Sequence, residues 1–121
     1  MQLQLLHESL TVCQVATIDD VDLHDDIYFL GKTDEELSLV CKTDSAPAET
    51  LSREDGLRGF RITGVLDFSL IGILSKISAI LAEKEIGIFA VSTYNTDYIL
   101  VKEESLDKAV AALTDSGYTF I

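Results

Sequence analysis

Two short polar segments in the C-terminal half of the chain combine residue types that can bind a small charged molecule. The first, residues 67–72, follows a stretch of alternating polarity and precedes apolar residues at helical spacing. Backbone N–H groups at a helix start, with the positive end of the helix dipole, suit a carboxylate, and such a placement contributes up to ~2 kcal/mol. Gly72 would let a ligand approach the backbone closely. Ordinary helix capping and tight packing explain the same residues without a ligand.

The second segment, residues 93–97, lies between two predicted strands and is rich in polar residues. A fixed carboxylate on Asp97 could pair with an ammonium group through a charge-assisted hydrogen bond, which is stronger than a neutral one. Thr93 and Asn95 could add hydrogen bonds to the same ligand. The alternative is that Asn95 and Asp97 only stabilise the turn, as such residues commonly do.

A third candidate is the edge of a predicted strand at residues 88–91. An edge strand offers backbone N–H and C=O groups to a ligand or to a second subunit. The candidate ligand-binding residues of the three segments are Asp67, Phe68, Ser69, Leu70, Ile71, Gly72, Ile88, Phe89, Thr93, Asn95 and Asp97.

Other residues that can bind metals or perform catalysis do not form a recognisable pattern. The spacing of Cys13, Cys41, His7 and His24 matches no zinc motif. The acidic run at residues 19–26 lacks the glycine and the distal glutamate of an EF-hand loop. No Ser-His-Asp or Cys-His arrangement stands out. We therefore expect no metal, no cofactor and no enzymatic activity.

The first candidate segment lies between a predicted strand and a predicted helix. Alternating polarity predicts the strand at residues 60–66. Helical spacing of apolar residues predicts the helix at residues 69–84, with Asp67 or Ser69 as its cap. The apolar residues of this helix are Leu70, Ile71, Leu74, Ile77 and Leu81.

The second segment lies in the turn of a predicted hairpin. Its strands are at residues 86–92 and 98–102. Ser105 then caps a second helix, Gly117 ends it, and residues 118–121 form a last strand. The apolar face of the second helix is Leu106, Ala109, Val110 and Leu113. The order βαββαβ predicts an α+β unit of the ferredoxin-like type, with both helices on one face of an antiparallel sheet.

The N-terminal part is predicted to be β-rich, without a long helix. Its strands are predicted at residues 3–6, 10–15, 27–30 and 37–41. A tight turn at residues 7–9 would pair the first two strands. Residues 43–59 contain the only proline, Pro47, and little apolar periodicity, which predicts a loop or linker. We therefore expect a β-rich subdomain with its linker at residues 1–57 and a second domain at residues 58–121.

A short internal echo connects the two parts. Thr33-Asp34 precedes a strand that ends at Lys42, and Thr96-Asp97 precedes a strand that ends at Lys102. The echo fits a chain built from two related halves, of which the first is degenerate.

Composition and charge restrict the classes of function. The chain has 121 residues, of which 47% are hydrophobic, so it can bury a core. Its 9 basic and 21 acidic residues give a net charge of −12, which disfavours binding to nucleic acids and to membrane surfaces. The N-terminus has no features of a signal peptide. Two cysteines do not make a disulfide framework, which favours the cytoplasm.

Residues 64–74 and 86–93 resemble an ACT domain. The resemblance rests on Gly64-Val65-Leu66-Asp67-Phe68-Ser69-Leu70-Ile71-Gly72-Ile73-Leu74 and on Ile86-Gly87-Ile88-Phe89-Ala90-Val91-Ser92-Thr93. It covers residues 59–121 well and the N-terminal part more faintly. More narrowly, the chain is similar to small two-part ACT-like proteins of bacteria and to the ACT modules of cytosolic arginine sensors.

This resemblance implies a βαββαβ fold and a regulatory, allosteric module that binds a free amino acid. The ligand carboxylate would lie at the first strand–helix turn and its ammonium at Asp97. Such modules commonly pair side by side, which implies a homodimer, and the acidic surface mildly favours cationic amino acids. The alternative is a module that binds no ligand and serves only for dimerisation or docking.

Overall fold

The computed structural model describes residues 1–67 and 71–121. The strands are β1 (Gln2–Leu5), β2 (Leu10–Gln14), β3 (Tyr28–Lys32), β4 (Leu37–Lys42), β5 (Ser52–Ile62), β6 (Phe89–Ser92), β7 (Asp97–Lys102) and β8 (Thr119–Phe120). The helices are α1 (Ile73–Glu83) and α2 (Leu106–Asp115), with single 3-10 turns at Ile18–Asp20, Thr43–Ser45 and Glu103–Ser105.

The fold is mixed α+β, and the chain divides into two compact units. Residues 8–57 form one unit, and residues 1–7 together with 58–121 form the other. Among the described residues, no helix is long and apolar enough to cross a membrane.

In the unit of residues 1–7 and 58–121, the N-terminal strand is an internal strand of the sheet. β1 pairs with β5 in antiparallel orientation, with Leu3 opposite Ile62, and with β8 in parallel orientation, with Leu3 opposite Phe120. β7 pairs with β5 and with β6. The predicted hairpin of the first two strands is therefore wrong, because β1 lies between β5 and β8. The alternating Gln-Leu-Gln-Leu pattern of β1 turns the fully buried Leu3 towards the core.

Both helices of this unit pack on the same face of its sheet. Ile77 and Leu81 of α1 share a core with Ala109 and Leu113 of α2 and with β-strand residues that include Phe60. The Phe60 and Phe120 rings pack edge to face, with centroids 5.5 Å apart. The predicted apolar face of the second helix is thus confirmed for the residues in this core.

The first helix begins later than predicted. Its N-cap is Gly72, with φ 82°, and not Asp67, whereas Ser69, the other predicted cap, lies outside the described residues. Glycine adopts this left-handed conformation without the steric cost of a side chain. Ile71, predicted to belong to the apolar stripe, precedes the helix and is 94% exposed.

The unit of residues 8–57 is a four-stranded arrangement without α-helices. Its strands lie in the order β3-β4-β2-β5, to which β5 contributes residues 52–57. Cys13, Val15, Leu39 and Cys41 form a buried cluster in this unit, against which side chains such as Tyr28 and Leu30 pack. Between strands it has only the two 3-10 turns.

Part of the predicted linker is strand. Residues 52–57 pair with β2, with Ser52 opposite Gln14 and Leu57 opposite Leu10, and the register shifts between these pairs. Gly56 lies at this irregularity with φ 73°, typical of a β-bulge. The polar residues 52–55 are exposed, so no apolar alternation marked the strand in the sequence.

We expect Leu3→Ala to lower the free energy of unfolding by about 2–5 kcal/mol, because it leaves a cavity in a core that the side chain fills completely. Urea unfolding would measure the change. Leu51→Ala, at a side chain that is 65% exposed, is the control and should change the value by less than about 0.5 kcal/mol. A loss at Leu3 no larger than this would contradict the internal position of β1.

Candidate functional site

Backbone and side-chain hydrogen bonds hold the β5–α1 connection and the β6–β7 turn together. The Leu66 amide donates to the Asn95 carbonyl at 2.7 Å. The Thr96 hydroxyl, which is buried, donates to the Ile62 carbonyl at 2.8 Å. Within the turn, the Thr93 amide donates to the Thr96 carbonyl at 2.9 Å. Two of the three candidate segments are therefore adjacent.

A cleft of about 280 Å³ lies where these two connections meet. Five of the candidate residues line it: Asp67, Gly72, Thr93, Asn95 and Asp97. Its other lining residues are Leu66, Ile73, Leu74, Ser75, Ser92, Tyr94 and Thr96.

One wall of the cleft is the beginning of α1. The first bond within the helix runs from the Lys76 amide to the Gly72 carbonyl at 2.9 Å. The amides of Ile73, Leu74 and Ser75 precede this bond, and the first three amides of a helix have no acceptor within it. The first turn of α1 has no acidic side chain of its own. This wall can therefore accept an anionic group.

Asp97 lies on the wall formed by the hairpin. The Ser92 hydroxyl donates to its Oδ1 atom at 2.6 Å, and the residue is half-buried. This bond orients the carboxylate, and its second oxygen can accept from a ligand. Among the described lining residues, the charged side chains are Asp67 and Asp97, and none is cationic.

The remaining candidate residues lie elsewhere. Phe68, Ser69 and Leu70 are outside the described residues. Ile71 lines a different cavity, with Lys76 and Tyr118. Ile88, just before β6, is 36% exposed, and Phe89, the first residue of β6, is 39% exposed; neither lines the cleft.

Sequence reasoning missed Ser92 as a site residue. It is the last residue of β6 and stands opposite Asp97 in the strand register, so the two side chains share a face. The signal was available only once the hairpin register was known.

The cysteines are buried thiols in the core of the unit of residues 8–57. Both are free and 4% exposed. Burial raises the pKa of Cys13, and it raises the pKa of Cys41 to about 11. Both are therefore protonated at neutral pH and poor nucleophiles or metal ligands. In the described part of the chain, no group of three or more His, Cys, Asp or Glu side chains is placed to hold a metal ion.

Part of the acidic run is tied to a lysine. Lys42 forms ion pairs with Asp25, at 3.3 Å, and with Asp26. The Ser45 hydroxyl and the Asp26 amide, together with Lys42, hold the pKa of Asp25 at about 2. The neighbouring carboxylate of Asp26 is the main cause that raises the pKa of Lys42. These contacts give Asp25, Asp26 and Lys42 a structural role.

Comparisons with known proteins agree with this fold. A family model described as ACT domain matches residues 52–115, which is just over half of the chain. Among curated proteins, none matches the chain. Protein Atu0741 from Agobacterium tumefaciens is a similar solved structure, with 28% identity and a TM-score of 0.87 over 99% of this chain and 91% of that one.

Two more distant structures show the same fold. Protein VC0802 from Vibrio cholerae has 21% identity and a TM-score of 0.71, over 94% of this chain and 88% of that one. The regulatory subunit of aspartate kinase from Thermus thermophilus has 12% identity and a TM-score of 0.65, over 95% of this chain and 96% of that one.

We expect Thr96→Val to lower the free energy of unfolding by about 1–3 kcal/mol, because the Ile62 carbonyl loses its buried donor. Thr96→Ser keeps the hydroxyl and should recover part of the loss. Thr119→Val, at an exposed position of β8, is the matched control in urea unfolding. Equal effects at positions 96 and 119 would contradict a tie between the turn and β5.

We expect Asp25→Asn to reduce the loss of stability between pH 4 and pH 2. The pKa of Asp25 is about 2 in the folded protein and about 4 in the unfolded chain. The ionised carboxylate therefore stabilises the fold fully above about pH 4, and this stabilisation is lost as the pH falls through about 2. Thermal unfolding across this pH range measures the effect. Asp20→Asn, at an exposed residue, should leave the slope of the wild type; an unchanged slope in Asp25→Asn would refute the assignment.

Proposed function

The chain belongs to the ACT-domain family, and we propose that it is a non-catalytic regulatory module that binds a free amino acid in the cleft. The observation that carries this proposal is that the first turn of α1 and the Asp97 carboxylate line one cleft. An α-amino acid has a carboxylate and an ammonium on one carbon, and these two walls offer the matching partners.

In the proposed complex, the amides of Ile73, Leu74 and Ser75 take the ligand carboxylate. The helix dipole supports this placement. Asp97, oriented by Ser92, takes the ammonium through a charge-assisted hydrogen bond. So few contacts correspond to dissociation constants of roughly micromolar to millimolar.

The charges of the cleft favour an amino acid with a cationic side chain. Asp67 is a second carboxylate on the lining, and the described lining residues include no cation. The net charge of −12 adds attraction at a distance, although salt screens it beyond about 8–10 Å. We therefore expect lysine or arginine to bind better than neutral amino acids.

We also infer that residues 8–57 are a degenerate ACT-like half of the chain. The similarity to the Thermus thermophilus regulatory subunit extends over 95% of this chain, beyond the matched residues 52–115. That protein is a regulatory subunit of an enzyme, and by analogy we propose that this chain acts on a partner enzyme. The two free, buried cysteines suit a reducing cytoplasm.

A second candidate function is docking without a ligand, which the edge of β6 favours. In the described part of the chain β6 pairs only with β7, and Ile88 and Phe89 beside this edge are exposed apolar residues. Such an edge can pair with the same edge of a second copy. We therefore propose a homodimer through β6, with or without an amino acid in the cleft.

We expect at least one amino acid at millimolar concentration to raise the melting temperature of the protein, and we expect arginine and lysine to raise it most. Ligand that binds only the folded state stabilises by about 2.7 kcal/mol at a hundredfold excess over Kd. Asp97→Asn should abolish the shift, because it removes the charge while keeping the acceptor for Ser92. A thermal-shift panel of the twenty amino acids, followed by calorimetry, measures both.

Asp115→Asn is the matched control, since it makes the same change of charge at an exposed position at the end of α2. It should retain the ligand response. A panel without any response, combined with a concentration-dependent monomer–dimer equilibrium in ultracentrifugation, would reject amino-acid binding in favour of docking.

A further inference from the structure

The residues of the β6–β7 turn also line a second cavity, which we call the Arg61 cavity. It has a volume of about 370 Å³ and includes Gln4, Arg61, Thr63 and Tyr98, together with Thr93 and Asn95 of the turn. Arg61 is the one charged side chain among its described lining residues. Its electrostatic character is therefore opposite to that of the cleft.

The Arg61 guanidinium is held in place by neutral partners. Its Nε and Nη2 atoms donate to Gln4 Oε1 at 2.9 and 2.7 Å. Its Nη1 atom donates to the Tyr98 hydroxyl at 3.0 Å, and its carbon lies 5.8 Å from the centre of the Tyr98 ring. These contacts fix the plane of the group and use three of its five N–H donors.

No carboxylate of the described residues lies in ion-pair distance of Arg61. By contrast, Arg53 pairs with Asp55 at 2.7 Å, and Lys42 pairs with Asp25 and Asp26. Arg61 is half-buried and oriented only by neutral groups in a chain with 21 acidic residues, and Arg58, which donates to the Leu6 carbonyl, likewise has no ion pair among the described residues. Two N–H donors and a full positive charge remain for a partner.

The surroundings of Arg61 specify the class of this partner. The Asn95 side chain makes no hydrogen bond to the residues described, so its amide can donate to the same anion. Val65, which is 71% exposed, gives the cavity an apolar margin. One guanidinium balances one negative charge, and the net charge of −12 opposes anions of higher charge.

We propose that the Arg61 cavity is a second binding site, specific for a small organic monocarboxylate. The guanidinium takes the carboxylate oxygens, Asn95 adds a hydrogen bond, and the apolar part of the ligand packs on Val65. This site uses Arg61 and not Asp97, so it stands independently of amino-acid binding in the cleft.

The test is a titration of the ¹⁵N-labelled full chain with sodium isobutyrate, followed through the Arg61 Nε–H signal in ¹H–¹⁵N spectra. We expect a saturable shift that sodium chloride at equal ionic strength does not produce. The backbone amides of residues 63 and 95 should report the same Kd. A shift that grows without saturation, or one that chloride reproduces, overturns the proposal.

Three variants sharpen the test. Arg61→Gln should weaken binding about tenfold or more, the effect expected when hydrogen bonds to a charged group are lost. Lys108→Gln makes the same change of charge at an exposed position of α2 and should bind like the wild type. Tyr98→Phe keeps the charge and removes one anchor, so it should bind more weakly than the wild type even if Arg61→Gln does not fold.

Inorganic phosphate separates the proposed ligand class from anions in general. We expect it to bind more weakly than isobutyrate. Saturation by phosphate and not by isobutyrate overturns the proposal of a monocarboxylate site, and so does unchanged affinity in a folded Arg61→Gln variant.

Discussion

A buried hydrogen bond from the Thr96 hydroxyl to the Ile62 carbonyl holds the β6–β7 turn, and with it Asp97, against the end of β5. Thr11 and Thr96 are the buried polar residues of the described chain, and a buried hydroxyl is tolerated only when it is paired. The bond joins the β6–β7 turn to the end of β5, and the Leu66 amide adds a second link to the same turn. Because β5 leads into α1 and the turn leads into β7, the helix start and Asp97 meet at one cleft.

The same turn separates two cavities of opposite charge. Thr93, Asn95 and Thr96 line both of them. Among the described lining residues, the charged side chains of the cleft are Asp67 and Asp97, and the charged side chain of the Arg61 cavity is Arg61. A zwitterion in the first and a carboxylate in the second would therefore contact the same four-residue segment.

Local patterns predicted the elements well and their partners poorly. The helical period correctly identified Ile77 and Leu81 as core residues, because a core-facing stripe is a local property. It also extended the helix back over Ile71, because periodicity cannot register that Gly72 turns the chain with a positive φ. The alternation of β1 predicted a strand, but its partners β5 and β8 are more than 50 residues away, and no local pattern encodes them.

The residues of the candidate site also divide into those that a local pattern identifies and those whose role depends on strand pairing. Gly72 and Asp97 were identifiable by residue type, since a helix start and a turn carboxylate have recognisable chemistry. Ser92 was not, because its role depends on the register that sets it opposite Asp97. The strand at residues 52–57 was hidden for another reason: its exposed polar residues pair through the backbone, which a hydropathy pattern does not detect.

Each unit contains a similar hairpin, β3–β4 in one and β6–β7 in the other, and the two are offset by 60 residues. The segment that precedes each hairpin differs, which explains why one cleft is proposed and not two. The Thr33 amide donates to the Glu36 carbonyl at 2.9 Å, as the Thr93 amide does to Thr96, so Thr33 corresponds to Thr93 and not to Thr96 as the sequence echo suggested. Lys42 and Lys102 both end a strand and precede a 3-10 turn. After β2, however, residues 18–20 form a single 3-10 turn, whereas α1 has eleven residues. One such turn has neither the row of free amides nor the summed dipole of a helix, so the first unit lacks the wall that would bind a carboxylate.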